Sequence, residues 1–208
     1  MRFPVYAAFA AAVLAALPAA AADIAKGRDI ARQCTECHGP AGISALPGMP
    51  HLAGQSDIYL VKQIRDFRKP SQPQAGDTAG MRAEPVMSHQ AYLGIDDIES
   101  VAAWYMAQPC AVPKVPIAAP PPVIVRTTCA NCHGDRGVAN SPLVPHIAGQ
   151  QAEYLARQLR LFRASAQGTS GGYAQPAREH PLMNEFATRV SEAELAAIAT
   201  WYAGQACR

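Results

Sequence analysis

Cys34-Thr35-Glu36-Cys37-His38 recurs 95 residues later as Cys129-Ala130-Asn131-Cys132-His133. Two thiols separated by two residues and followed at once by an imidazole form the attachment signature of c-type haem. The thiols add to the two haem vinyl groups, and the adjoining histidine reaches the iron from the same side. A zinc knuckle can use a single such pentapeptide. A zinc module built on all four cysteines would leave both histidines, and the matched methionines below, without a role.

Iron that exchanges electrons without binding gases or peroxide needs a sixth ligand. The second copy holds one methionine, Met183, 50 residues after His133, and Met87 stands 49 residues after His38. Met49, Met81 and Met106 have no methionine counterpart, so the repeat selects Met87 and Met183 as axial thioethers over the usual gap-filling role of methionine. A thioether favours Fe(II) and raises the reduction potential. Pro50 and Pro145 each lie 12 residues past the haem histidine. A carbonyl there can accept the Nδ1–H of His38 or His133 and orient the ring; simple turn formation is the alternative. Arg65/Arg160 and Arg68/Arg163 are either propionate partners or solvated helix faces. His51, His89, His146 and His180 are the other possible iron ligands. His89 and His180 stand near the methionines, which leaves ligand exchange at altered pH open.

The positioning elements repeat with the motifs. His51-Leu52-Ala53-Gly54-Gln55 lies over His146-Ile147-Ala148-Gly149-Gln150, followed by Tyr59/Tyr154, Gln63/Gln158 and Phe67/Phe162; the offset grows from 95 to 97 by Trp104-Tyr105/Trp201-Tyr202. The period within each copy is helical. Ile58, Leu60, Val61, Ile64 and Phe67 share one side of a helix opened by Ser56 or Asp57, and Tyr154, Leu155, Leu159 and Phe162 repeat it. Ser191-x-x-Glu194 is a capping box for the last helix, where Trp201, like Trp104, has a core role. Residues 24–33 read as a helix running into the first haem motif. No alternating strand pattern appears, and each domain is expected to be small, all-α and loop-rich. The boundaries are 23–109 and 123–208, joined by a Pro-rich linker at 110–122. Six prolines between Pro109 and Pro122 make that connector stiff and extended.

Residues 1–22 read as a secretory signal peptide: Arg2, an apolar run from Val5 to Leu17, and small residues before cleavage near Ala22/Asp23. The mature chain is therefore expected in the periplasm, where two covalently bound haem c groups supply core that two domains of this size would otherwise lack. A formal net charge of +2 for the whole chain argues against nucleic acid. Residues 23–112 hold 8 Lys/Arg and 10 Asp/Glu, whereas 113–208 hold 9 and 6, a dipole able to orient docking. After haem attachment Cys110 and Cys207 remain, with only each other to pair with in an oxidising compartment. Whether their Cα atoms come within about 7 Å stays open.

With these residues the chain resembles the dihaem cytochromes c of the cytochrome c4 type. The resemblance rests on the duplicated Cys-x-x-Cys-His, the Leu/Ile-Ala-Gly-Gln stretch, the Tyr-x-x-x-Gln helix, and Pro85-Val86-Met87 and Pro181-Leu182-Met183. It implies two class I cytochrome c folds related by a pseudo-two-fold axis, each enclosing one haem. It also implies single-electron transfer between redox proteins, with membrane respiratory complexes as donor and acceptor and a terminal oxidase or another respiratory acceptor as the destination. No catalytic residue and no small-molecule substrate are expected. The alternatives are an electron-transfer subunit of a periplasmic dehydrogenase and a peroxidase-like enzyme with one open iron. Pro120–Pro122 replace most of the helix that should precede the second haem motif, a departure bearing on interdomain packing.

Overall fold

The computed structural model describes residues 22–68, 81–169 and 177–207. The expected leader lies outside these, except for Ala22. In the first domain, α1 (Ile24–Ala31) begins where the Asp23 carboxylate accepts the Lys26 amide at 3.0 Å. It runs through a tight 3-10 turn, Arg32–Cys34, into α2 (Thr35–His38). Then follow α3 (Asp57–Arg68), α4 (Pro85–Gln90) and α5 (Ile95–Met106). The second domain opens with a π turn, Val125–Cys129, leading into α6 (Ala130–His133). It continues with α7 (Ala152–Ala166), α8 (Pro181–Thr188) and α9 (Glu192–Ala203). The Ser191–Glu194 capping box at the start of α9 is formed in both directions.

Each domain packs its last helix across the helix that follows its haem motif. The first core gathers Ala31, Leu60, Val101, Ala102 and Tyr105; the second gathers Val125, Tyr154, Leu155, Leu195, Ile198, Trp201 and Tyr202. The apolar side of α3 is narrower than its sequence suggests, because Ile58 is 46% exposed. α1 and α5 cross so closely that a Cβ on Gly27 would lie 2.0 Å from the Ser100 carbonyl oxygen. Only glycine admits that crossing.

In the second domain the helix entering the haem motif is shortened, beginning only at Val123, and the proline connector takes the place of its start. The Ile117 amide donates to the Gly204 carbonyl at 3.0 Å, Gln205 Nε2 to Ile117 O at 3.1 Å, and Trp201 Nε1 to Ala119 O at 3.1 Å. The Ile117 side chain fills the space where a Cβ on Gly204 would fall. The linker is thus a strap laid along α9, more constrained than a free spacer. Trp201 packs under this strap, whereas Trp104 lies against α1 beside Gly27.

The fold is mostly helical with one addition. Strands β1 (Met81–Ala83) and β2 (Ala177–Glu179) pair antiparallel across the domain boundary, with Arg82 opposite Arg178. Three residues are too few to show an alternating pattern. The boundary is organised as an approximate two-fold. Gln55 donates to His146 O at 2.8 Å and accepts from His146 N at 2.9 Å. Gln150 accepts from His51 N at 2.8 Å and donates to His51 O at 2.9 Å. Cys110 and Cys207 form a disulfide, their Cα atoms 6.3 Å apart, joining the C-terminal ends of the two domains.

Candidate haem-binding site

The first cysteine of each motif ends the turn before α2 or α6, the second lies three residues on within the helix, and the histidine follows it. In a helical turn, that spacing presents all three to one side. His38 and His133 are 5% and 9% exposed. Pro50 O lies 3.0 Å from His38 Nδ1, and Pro145 O lies 3.1 Å from His133 Nδ1. With Nδ1–H donated to a carbonyl, the Nε2 lone pair is left as the coordinating atom and the ring is fixed. Burial holds both imidazoles neutral, lowering their pKa from the ordinary value. A neutral imidazole is the form that coordinates metal.

His38 Nε2 and the hydroxyls of Tyr105 and Tyr202 are among the buried polar atoms that find no hydrogen-bond partner within the protein. Tyr105 lies beside Cys34, and Tyr202 beside Cys129. Cys34, Cys37, Cys129 and Cys132 are all unpaired thiols. Burial raises the pKa of the Cys34 and Cys129 thiols. An acceptor nitrogen without a donor, beside two thiols of vinyl spacing, suits a covalently attached haem in the first domain, and the second domain repeats the buried histidine and the thiol spacing. Among the described residues no three His, Cys, Asp or Glu side chains converge as a metal site.

Met87 and Met183 are each the third residue of a helix opened by proline, in α4 and α8, and both are half-buried. Proline at the first helical position supplies the required φ and removes an amide that would have no partner. The other histidines have structural work or lie outside. His51 Nδ1 accepts the Ser44 amide and His146 Nδ1 the Ala139 amide, each at 3.0 Å. His180 caps α8, accepting the Met183 amide at 3.4 Å, and His89 is exposed.

The arginines singled out from the repeat are committed to the last helix of each domain and the segment just before it. Arg65 pairs with Glu99 and Arg68 donates to Leu93 O. Arg160 pairs with Glu192, and Arg163 donates to Ala187 O and Val190 O. The buried cation is instead Arg178, opposite the half-buried Arg82 in the paired strands, the two meeting Tyr59, Gln63, Tyr154 and Gln158. The repeat holds a signal for them: Arg82 and Arg178 are equivalent at offset 96, just ahead of each Pro-x-Met. An arginine in a loop-like stretch nevertheless reads as surface.

The family described as Cytochrome c matches residues 24–108 and again 122–203. Cytochrome c4 of Azotobacter vinelandii is 31% identical over 201 residues, covering 89% of this chain and 90% of that protein. The thiosulfate dehydrogenase electron acceptor of Stutzerimonas stutzeri (strain A1501) is 30% identical over 93% of this chain and 91% of its own length. The crystal structure of reduced recombinant cytochrome c4 from Pseudomonas stutzeri superposes with a TM-score of 0.73 at 28% identity, covering 89% of this chain and all of that one.

Proposed function

Because the chain belongs to the cytochrome c family, as a dihaem protein of the cytochrome c4 type with two tandem domains, we propose that it carries single electrons between periplasmic redox partners, from a membrane respiratory donor toward a terminal oxidase. It is an electron carrier, not an enzyme, with two haem c sites of His/Met ligation. The attaching residues are Cys34 and Cys37 in the first site, Cys129 and Cys132 in the second. The axial pairs are His38/Met87 and His133/Met183. What carries this assignment is the duplicated geometry: a buried histidine oriented by a proline carbonyl 12 residues on, matched in both domains.

When bound, haem supplies reversible one-electron chemistry at iron. The chain's part is to keep the surroundings unchanged between oxidation states. The Pro50 and Pro145 carbonyls hold the imidazole rings, and the apolar cores keep water away. The Gln55/Gln150 hydrogen bonds and the disulfide keep the two domains in one relation. A weakly donating thioether on the open side favours the reduced state and raises the potential. Export follows from the residues ahead of Asp23 and from attachment of haem outside the inner membrane. No helix among the described residues is long and apolar enough to cross a membrane.

The ferrous absorption spectrum, recorded with and without carbon monoxide, tests the carrier reading. An unchanged spectrum is expected, since histidine and methionine would fill the two positions that the porphyrin leaves free, so neither iron would be open. A prompt shift in one haem would overturn it in favour of a ligand-binding enzyme. Potentiometry of Met87→Ala and Met183→Ala tests the ligands: each should lower one potential, and two unaltered variants would reject both methionines. The similarity to a thiosulfate dehydrogenase electron acceptor supports a second reading, in which electrons arrive from a periplasmic dehydrogenase. Reduction of the purified protein by thiosulfate plus its dehydrogenase, faster than by respiratory membranes, would favour that donor.

A further inference from the structure

Tyr105 and Tyr202 are repeat-equivalent tyrosines of α5 and α9, and neither attaches nor ligates a haem. They are 3% and 1% exposed. Both hydroxyls are buried without a hydrogen-bond partner in the protein. Buried phenols ordinarily find one, and an unsatisfied donor in the interior is costly. The same orphan in both copies points to a partner that both copies acquire.

Each ring is fixed in place. Gly42 and Gly137, in the loops that leave the two haem motifs, have φ of +82° and +89°. A Cβ on Gly42 would fall 2.7 Å from Tyr105 Cδ1, and one on Gly137 would fall 2.8 Å from Tyr202 Cδ1. Both loops are therefore bare where the ring passes. Trp104 and Trp201 meet the rings edge-on, at centroid distances of 4.8 and 5.0 Å. The backbone is held as well: Gly54 N donates to Tyr105 O at 2.9 Å, and Gly149 N to Tyr202 O at 3.0 Å. Cys34 packs against the core cluster that contains Tyr105, and Cys129 against the one that contains Tyr202. In both domains this is the first cysteine of the motif. Burial raises both phenol pKa values, so each hydroxyl keeps its proton and is a donor. A free thiol is itself a weak donor. Addition across a vinyl double bond passes the thiol hydrogen to carbon, and the thioether sulfur that remains can only accept.

We propose that Tyr105 and Tyr202 are positioning residues for the two haems, each hydroxyl donating a hydrogen bond to the thioether sulfur formed at Cys34 or Cys129. This rests on the haem reading above. Attachment itself then satisfies the orphaned donor in each domain. A donor at sulfur draws electron density from the edge of the porphyrin and favours Fe(II), so each tyrosine raises the potential of the haem in its own domain. The bond is local, and its effect belongs to one iron at a time.

The test uses the haem-loaded full chain, with the two potentials assigned by the methionine variants. Tyr105→Phe and Tyr202→Phe keep the ring and remove only the hydroxyl. Each should lower the reduction equilibrium of its own haem about threefold, about 28 mV at about 59 mV per decade for a one-electron couple, and leave the other unchanged. Resonance Raman spectra give a readout that packing alone does not move: the thioether C–S stretch of the same haem should shift in each variant. In the wild type that band should also shift after warm equilibration in D2O, a measurement that needs no variant to fold. Unmoved potentials with a raised Tm would mean that the hydroxyls bond to nothing, and would overturn the proposal. So would a C–S band that neither substitution nor deuterium shifts, or equal movement of both potentials in one variant. The pyridine haemochrome assay separates the two levels. A chain without two haems defeats the functional reading, whereas two haems with unmoved C–S bands defeat only the tyrosine assignment.

Discussion

Replacing both Cys110 and Cys207 by serine tests how the two domains are held. The disulfide links positions 97 residues apart, so it closes a loop containing almost the whole second domain. Chain-entropy reasoning assigns a crosslink of that span roughly 4.7 kcal/mol, with measured values for such bridges from about 0 to 5. In the native state the Gln55/Gln150 hydrogen bonds, the β1–β2 ribbon and the Ile117 strap remain. The folded arrangement should therefore survive, and the loss should come from the released unfolded chain. With a urea m-value of about 2 kcal/mol/M, a loss of about 4 kcal/mol lowers the unfolding midpoint by about 2 M. The assay is urea unfolding of the haem-loaded double variant beside the wild type, followed by the Soret band and far-ultraviolet circular dichroism. Both potentials should be unchanged, since neither cysteine touches a haem ligand. A midpoint moved by less than about 0.5 M would refute the reasoning, as would two free thiols in unreduced, unfolded wild-type protein.

Gly27→Ala should destabilise the first domain by about 3 kcal/mol, at the upper end of overpacking, because its Cβ meets backbone at Ser100 with no room to yield; thermal unfolding followed at each Soret band would show it. Gln55→Ala should cost about 1–3 kcal/mol, leaving His146 N and O without their partner, and Gln150→Ala should match it in urea unfolding if the boundary is two-fold. Ser191→Ala should cost about 1 kcal/mol by removing the cap of α9, a loss that Glu194→Ala combined with it should not simply double. Hydrogen bonds from the Ser191 backbone and side chain hold the Glu194 pKa below the ordinary carboxylate value. A depressed folded pKa means the stabilisation is complete above the unfolded glutamate pKa and fades as pH falls through the folded one. Wild-type and Glu194→Gln stabilities should therefore converge at acid pH and separate near neutrality.

Much of the site was legible because its chemistry is local or duplicated. Cys-x-x-Cys-His needs five contiguous residues. The proline 12 positions later makes its hydrogen bond within one loop. The Ser191 box closes over four residues. Duplication then did for the methionines what spacing alone does not, singling out one pair among six methionines. The two spare cysteines defined their only pairing, although the 6.3 Å approach is a property of the packed domains.

What escaped the sequence lies at the boundary, where partners come from opposite halves. Arg65, Arg68, Arg160 and Arg163 read from the repeat as either propionate partners or solvated helix faces, and only the packed structure gives them Glu99, Leu93 O, Glu192 and Val190 O as partners. Arg82 and Arg178 look like loop residues until β1 and β2 pair and bring them face to face. Gln55 and Gln150 carry no chemical signature, and only docking of the domains gives each a backbone to bind. The prolines forbade a helix from 120 to 122, but that the connector lies along α9 depended on Gly204 leaving space for Ile117. Covalent attachment sites, caps and repeats are written in short-range spacing, so this chain alone determined that it holds two haems in two like domains. The burial of a charge depends on which distant surfaces meet, and only the tertiary structure decided that two arginines would share the ground between them.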